Sequence, residues 1–197
     1  MTTKPDIYRG INAYIRRCLE PTDEELAFFD SLLTFKRFEK KSILLHEGDI
    51  CEYESYIIKG CVRAYFTNEN GFEVTLLFAV EDWWVSDLAS FHEGKPAKIT
   101  LETLEPTELL MLNRPNKELL LERYPKFERM YRLMLQRSLG VVQERLLSTL
   151  SKPAQERYQE FLERYPHIPQ RVAQHYIASY LGVSPEFLSK IRGRMNH

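Results

Sequence analysis

The chain has 197 residues, 44% of them hydrophobic, and a formal net charge of −1 at pH 7. This composition suffices for a buried core and excludes global disorder, and no apolar run approaches the ~18 residues of a membrane span. The near-neutral charge by itself predicts no polyanionic partner.

The first predicted elements are helices within residues 6–33. In "PTDEELAFFDSLL" Thr22 is suited to cap a helix, because its hydroxyl can accept a backbone N–H and acidic residues follow in the first turn. The apolar residues of this segment fall on one helical face: Leu26, Phe29, Leu32 and Leu33.

From Phe35 to about Leu112 the pattern predicts short strands and turns. "YIIKGCVRAYF" alternates around Gly60, and "NENG" has the Asn-Gly pair of a tight hairpin, since both residues tolerate positive φ. The alternation predicts one shared side for Tyr56, Ile58, Val62, Ala64 and Phe66. Strands at this spacing favour an antiparallel sandwich or barrel.

After Asn113 the pattern returns to helix. A short helix is closed by Pro125, and a helix of about 26 residues then spans 126–151. Two apolar stripes run along it. The first has coiled-coil spacing: Leu135, Leu139, Val142 and Leu146. The second lies beside it: Phe127, Met130, Met134 and Val141. One stripe is suited to the home domain and the other to a twin helix, and burial of both within one domain remains the alternative.

A further helix, "AQERYQEFLERYP", follows the break at Ser151–Pro153, where the domain boundary is predicted. The window from Gln174 to Gly193 then has the spacing of a helix-turn-helix. Helices that cross at ~90–120° need a small residue where they touch, here Ala178, and a turn residue that adopts positive φ, here Gly182. Apolar residues fill the wedge between the two helices: Ile177, Leu181, Val183, Leu188 and Ile191.

The second helix of this motif would present a polar, cationic face. Glu186 is suited to accept from cytosine N4 and Lys190 to donate to guanine, which would read bases in the major groove. Phosphate contacts are expected from Ser184, His175, Arg192 and Arg194, and the exposed face also includes Pro185 and Ser189. Residues 166–197 carry four Lys or Arg and one acid, which suits contact with phosphate. An ordinary helical hairpin with a solvated basic face remains the alternative.

The order of these elements resembles the Crp/Fnr transcription regulators. "LLHEGD", "YIIKGCVRAYF" and "YIASYLGVSPEFLSKIR" carry the likeness, which covers roughly residues 20–195. It implies an α+β fold with an N-terminal antiparallel β jelly roll within 1–125, a long dimerisation helix at 126–151 and a helix-turn-helix domain at 152–197. It further implies a homodimer on double-stranded DNA, with recognition helices about 34 Å apart, and contact with RNA polymerase.

The resemblance weakens at the effector pocket. Nucleotide-binding members carry a Gly-Glu pair and an Arg-Ser or Arg-Thr pair, where this chain has Ser86-Asp87 and Ala97-Lys98. Alanine cannot make the bidentate charged contact that arginine makes with a phosphate. The sequence therefore predicts no tight cyclic AMP binding. It leaves two alternatives: a pocket for a different small ligand, or a pocket without a ligand that the protein's own side chains fill.

Other sites are poorly supported. The three cysteines, Cys18, Cys51 and Cys61, are too few for an iron–sulfur cluster and form no CxxC pair. His46 and His92, each beside a glutamate, are the only candidates for haem or for the metal of a cupin-like enzyme. No resident metal, cofactor or catalytic residue is predicted. A jelly-roll metal enzyme, or an interaction module of the same fold without DNA affinity, remains the alternative.

The expected location is the cytoplasm. The cysteines suggest no disulfide framework, and the opening "MTTKPDIYRG" lacks the apolar segment of a signal peptide. A regulator that reads DNA without a membrane anchor fits this expectation.

Overall fold

The structure, a computed structural model, describes residues 7–195. It opens with two helices, α1 at Arg9–Cys18 and α2 at Asp23–Ser31. Helix α2 begins as predicted: the Glu25 N–H donates to the Thr22 hydroxyl, and the Thr22 N–H donates to the Glu25 carboxylate. This reciprocal capping box satisfies two N–H groups that the first turn would otherwise leave without partners.

The middle of the chain forms two four-stranded antiparallel sheets. The first, in the order β1-β8-β3-β6, consists of β1 (Thr34–Phe38), β8 (Thr107–Asn113), β3 (Tyr53–Lys59) and β6 (Trp84–Val85). The second, in the order β2-β7-β4-β5, consists of β2 (Ile43–Leu45), β7 (Thr100–Thr103), β4 (Val62–Thr67) and β5 (Glu73–Ala79). This architecture confirms the predicted antiparallel β jelly roll.

The predicted strand faces are partly wrong. Gly60, at φ +113°, turns the chain from β3 in one sheet to β4 in the other, so the alternation does not continue across it. Tyr56 belongs to the core beneath the N-terminal helices, whereas Ile57, its neighbour, is fully buried with Val62 and Ala64. The expected single face is therefore split between two cores.

The hairpin between β4 and β5 lies where the Asn-Gly pair placed it, but its turn differs from the expectation. Gly71 has φ +79°, and Asn70 is not among the described residues with positive φ. The Asn68 side-chain oxygen instead accepts the N–H groups of Asn70 and Phe72, each at 3.0 Å. An Asx turn therefore closes this hairpin.

Four helical segments then pack on the roll. They are α3 (Leu88–Glu93), α4 (Arg114–Arg123), a 3₁₀ turn (Pro125–Phe127) and α5 (Glu128–Ser151). The pattern did not predict α3, which interrupts the strand region. The α5 stripe that was expected to face the home domain does so through Phe127, Met130 and Met134, which are buried in one core with α1 and α2.

Four helices complete the described chain: α6 (Ala154–Arg164), α7 (Ile168–Arg171), α8 (Gln174–Leu181) and α9 (Pro185–Met195). The sequence analysis did not predict α7, which is a single helical turn. The core of this region also includes Cys61, Phe78 and Leu104 from the roll. The predicted division into 1–125, 126–151 and 152–197 stays a prediction, and its outermost residues, 1–6 and 196–197, lie outside the described part of the chain.

Candidate DNA-binding helix and effector pocket

The turn between α8 and α9 has the geometry that the spacing predicted. Ala178 is fully buried where the two helices approach each other, and Gly182 adopts a left-handed conformation at φ +67°. The Val183 N–H donates to the Ala178 carbonyl at 3.0 Å, which ends α8 in the manner of a glycine C-cap.

Helix α9 is held from one side only. Leu188 and Ile191 are buried against Ile177 and Leu181 of α8. The Ser184 hydroxyl accepts the Phe187 N–H at 3.2 Å, and Pro185 is the first helical residue, where its missing N–H leaves no bond unmade. The opposite face of the helix is therefore free to meet a partner.

The predicted contact residues are all exposed to solvent: His175, Ser184, Pro185, Glu186, Ser189, Lys190, Arg192 and Arg194. Within residues 7–195, Lys190 and Arg194 have no carboxylate partner, so their charges face outward. Hydrogen bonds from its own backbone N–H and from the Ser184 hydroxyl lower the pKa of Glu186, which favours an ionised acceptor near the start of α9.

The sequence analysis did not identify Gln174 as part of this surface. The Gln174 amide donates to the Ser189 hydroxyl at 2.9 Å and accepts from the Arg192 guanidinium at 3.1 Å. Gln174 thus orients two of the predicted contact side chains. Phe187 is also unexpected, because a large apolar ring that is 48% exposed lies on the same helix. The position of Gln174, the first residue of the window, was the signal that could have identified it.

The first predicted pair of the effector pocket is engaged within its own loop. One Asp87 carboxylate oxygen accepts the Ser90 N–H, capping α3, and the other accepts the Lys98 N–H, each at 3.0 Å. Asp87 is 8% exposed, and the Ser86 hydroxyl donates to the Tyr53 carbonyl at 3.3 Å. The carboxylate that would face a ribose therefore stabilises this loop.

The second pair offers no buried cation. Ala97 is buried, and its backbone joins the loop before β3, with its N–H on the Asp49 carbonyl at 2.8 Å and its carbonyl on the Gly48 N–H at 2.9 Å. The side chain of Lys98 is exposed. Neither Ala97 nor Lys98 therefore contributes a buried charged side chain to this loop.

The apolar seam of α5 faces solvent. Its four residues are between 42% and 59% exposed: Leu135, Leu139, Val142 and Leu146. Such a stripe on a helix whose other side is already buried is typical of a helix that pairs with a second copy.

The histidine candidates lie apart. His46 is exposed on the loop after β2, and His92 Nε2 lies 3.7 Å from the buried carboxylate of Glu54. In the described part of the chain, no group of three or more His, Cys, Asp and Glu side chains is arranged to hold a metal ion. The three cysteines are free, and none of the helices within residues 7–195 is both long and apolar enough to cross a bilayer.

Known proteins resemble this chain in both sequence and structure. Residues 35–124 match the cyclic nucleotide-binding domain family. Over 74 residues the chain is 32% identical to the cAMP-activated global transcriptional regulator CRP of Salmonella typhimurium, and the match covers 38% of this chain and 35% of that protein. These matches indicate a cyclic nucleotide-binding domain at residues 35–124 and a likeness to the CRP regulators. The matched segment spans about a third of the length of CRP, so the relatives' activity is not transferred by identity alone.

The Crp/Fnr fold extends through the C-terminal helices. The structure resembles the c-di-GMP responsive global regulator CLP of Xanthomonas campestris, with a TM-score of 0.74 and 16% identity over 89% of this chain and 92% of that one. It resembles FixK2 from Bradyrhizobium japonicum equally, with a TM-score of 0.74 and 19% identity over 83% and 84% of the two chains. These likenesses establish that the chain shares the fold of these two regulators.

Proposed function

We propose that this protein is a sequence-specific DNA-binding transcription regulator of the Crp/Fnr type. The observation that carries the proposal is the exposed surface around α9. The helix is anchored through Leu188 and Ile191, and every polar residue expected to meet DNA is exposed, including His175 on α8 and Ser184 just before α9. A helix supported on one side and cationic on the other matches the shape and charge of the major groove.

The predicted contact residues divide by role. Glu186 and Lys190 lie on the N-terminal part of the helix, which enters the groove, so they are assigned to base recognition. Ser184, His175, Arg192 and Arg194 are assigned to phosphates, where they add affinity without sequence preference. Gln174 orients Arg192 of the phosphate group, and it also holds Ser189 in place.

The functional unit is proposed to be a homodimer. Two copies would pair through the exposed seam of Leu135, Leu139, Val142 and Leu146, which places two α9 helices about 34 Å apart on a two-fold DNA site. The proposed location is the cytoplasm, and the proposed partner for activation is RNA polymerase.

The effector is proposed not to be cyclic AMP, although the roll matches the cyclic nucleotide-binding domain family. Asp87 is occupied by two backbone N–H groups, and Ala97 supplies no cation. The pocket is therefore proposed either to bind a different small ligand or to bind no ligand. Titration with cyclic AMP is expected to produce no saturable heat and no change in DNA affinity, and tight binding would contradict this part of the proposal.

The decisive experiment is selection of bound duplexes from a random pool with the full chain. A two-fold consensus is expected. The double variant Lys190→Glu/Arg192→Glu should lose specific binding by at least about a hundredfold, since two favourable phosphate or base contacts become repulsive. Measurement at several salt concentrations separates the phosphate contribution from base recognition.

The matched control is Lys40→Glu/Lys59→Glu, which makes the same charge change on exposed residues of the roll. Its DNA affinity should stay within a fewfold of the unmodified chain, because screening limits the effect of distant charges. If the α9 variant and the control bind alike, or if no consensus emerges, the regulator proposal fails and an interaction module becomes the better interpretation.

A further inference from the structure

A cavity of about 590 Å³ lies where the long helix meets the C-terminal helices. Its walls come from the last turns of α5, from α6 and from Tyr180 of α8. This volume is within the range of sites that hold small organic ligands. The cavity shares no residue with the effector loop at residues 86–98 or with α9.

Arg145 of α5 lines this cavity, and no carboxylate within residues 7–195 pairs with its charge. Its guanidinium donates to the carbonyls of Thr75 and Tyr180, each at 2.9 Å, and to that of Leu76, and it stacks on the Tyr180 ring at 4.1 Å. Burial lowers the pKa of this guanidinium, with a contribution from the nearby charge of Arg157. The backbone thus fixes Arg145 in place without neutralising it.

Arg157 of α6 also lines the cavity. Its Nε atom is buried, and within residues 7–195 it has neither a hydrogen-bond acceptor nor an ion pair. A buried N–H of a charged group without an acceptor is costly, so a free guanidinium beside a second one requires an explanation.

The acidic residues that line the cavity do not neutralise Arg145 or Arg157. Glu144 is paired with Arg164, and Glu160 with Lys152 and the Ser148 hydroxyl. Glu163 also lines the cavity and is exposed to solvent. Two guanidinium groups, on two different helices, therefore remain without a counter-ion at one cavity.

We propose that this cavity binds a small phosphate monoester. The phosphate lies between Arg145 and Arg157, whose N–H groups suit the oxygens of a dianion, and the organic part rests against the rings of Phe161, Tyr165 and Tyr180. The ligand would connect the long helix with the C-terminal helices. This site is separate from the proposed DNA surface and does not depend on it.

The test is calorimetric titration of the full chain with ribose 5-phosphate, with ribose as the uncharged counterpart. Saturable binding of ribose 5-phosphate and none of ribose is expected. Arg157→Gln should weaken binding at least about tenfold, because it removes a charge-assisted contact, and Arg157→Lys should retain part of the affinity. Arg157 makes no ion pair that either change would break, and circular dichroism verifies the fold.

Two controls locate the site. Arg164→Gln removes a cation of the same cavity that is already paired, and Lys190→Glu/Arg192→Glu removes two cations of α9, so both should bind ribose 5-phosphate within about twofold of the unmodified chain. Absence of saturable binding up to about 10 mM, equal binding of ribose, or unchanged binding by Arg157→Gln would overturn the proposal. Because no DNA is present, failure here leaves the regulator proposal intact.

Discussion

Gly60 occupies the tightest turn of the roll. Its φ of +113° lies in the region that side chains disfavour, and a Cβ built there would lie 2.4 Å from the Thr107 hydroxyl and 2.8 Å from its Cα. We expect Gly60→Ala to lower the free energy of unfolding by roughly 2–4 kcal/mol, from backbone strain together with overpacking. Urea unfolding followed by circular dichroism measures the loss.

Gly48 separates the two causes. It also has positive φ, at +94°, but a Cβ there meets no atom within 4 Å. Gly48→Ala should therefore cost only the backbone strain of about 1–2 kcal/mol. Equal losses in the two variants would show that the close approach to Thr107 contributes nothing.

Lys117 and Glu54 form a buried ion pair, with Nζ 3.0 Å and 2.8 Å from the two carboxylate oxygens and side chains 6% and 2% exposed. Lys117 also lies 4.0 Å from the centre of the Tyr131 ring. Lys117→Met should cost about 3–5 kcal/mol, because it leaves the Glu54 charge buried without a partner. Thermal or urea unfolding measures this loss.

The double variant Lys117→Met/Glu54→Leu provides the comparison. Since it removes both charges, it should be more stable than Lys117→Met alone by at least about 1 kcal/mol. If the double variant is the less stable of the two, shape and the ring contact of Lys117 outweigh the unpaired charge.

Helix α5 shows how far a local pattern predicts an element. Its two stripes could be distinguished by spacing alone, and the structure buries Met130 and Met134 while it exposes Leu139 and Leu146. The helix-turn-helix was predictable for the same reason: its cap, glycine and crossing residue all lie within about twenty positions.

Elements that depend on distant partners were less predictable. Helix α3 has only six residues, too few for a periodic signal. Its N-cap residue, Asp87, also accepts the Lys98 N–H from across the loop. The faces of β3 and β4 were misassigned because alternation carries no information on which sheet receives the next strand. The exposure of the candidate contact residues followed from the local pattern. The position of Gln174 was the only local signal for its hydrogen bonds to Ser189 and Arg192, which lie 15 and 18 positions away.

The exposed seam of α5 makes a direct prediction about assembly. Leu139→Glu should shift the protein from dimer to monomer in analytical ultracentrifugation at micromolar concentration, because a carboxylate would be buried at the centre of the helix pair. DNA affinity should fall with it, since one α9 contacts only half of the site.

Leu147→Glu is the matched control. Leu147 is 65% exposed against 59% for Leu139, and it follows the seam residue Leu146 by one position, so it points away from the pair. This variant should remain dimeric. A monomeric Leu147→Glu, or a dimeric Leu139→Glu, would place the contact on another face of the helix.

At the scale of the molecule, the C-terminal helices are bound directly to the roll. The Ser179 hydroxyl donates to the Glu73 carbonyl at 2.7 Å and accepts the Thr75 N–H at 2.9 Å, and Arg63 stacks on Tyr176 at 4.2 Å. These partners lie about a hundred positions apart in the sequence, so no local pattern could have predicted them. The position of α9 is thereby coupled to strand β5.

Arg171 joins the C-terminal helices to two carboxylates of the roll. Its guanidinium contacts the Glu81 carboxylate at 2.8 and 2.9 Å and that of Glu105 at 2.5 Å. Burial acts to raise the pKa of Glu81, but hydrogen bonds from Arg171 and from the Gly60 N–H lower it below its ordinary 4.5. The stabilisation is therefore fully present above pH 4.5 and is lost as the pH falls through the lower pKa of the folded state.

We expect Arg171→Met to release the C-terminal helices from the roll. The protection of α7, α8 and β5 against hydrogen exchange should fall by roughly 2 kcal/mol at pH 7, while β3 and β8 keep theirs, because two facing carboxylates lose their shared donor. The difference from the unmodified chain should shrink as the pH falls through the lowered pKa of Glu81, because protonation removes a carboxylate that Arg171 contacts. Arg37→Met, which breaks an exposed pair with Glu108, should change protection by less than about 0.5 kcal/mol. A uniform loss across α8 and β8 would mean that Arg171 stabilises the whole fold, and the link between the roll and the recognition helix would then have to lie in the aromatic contacts of Phe78.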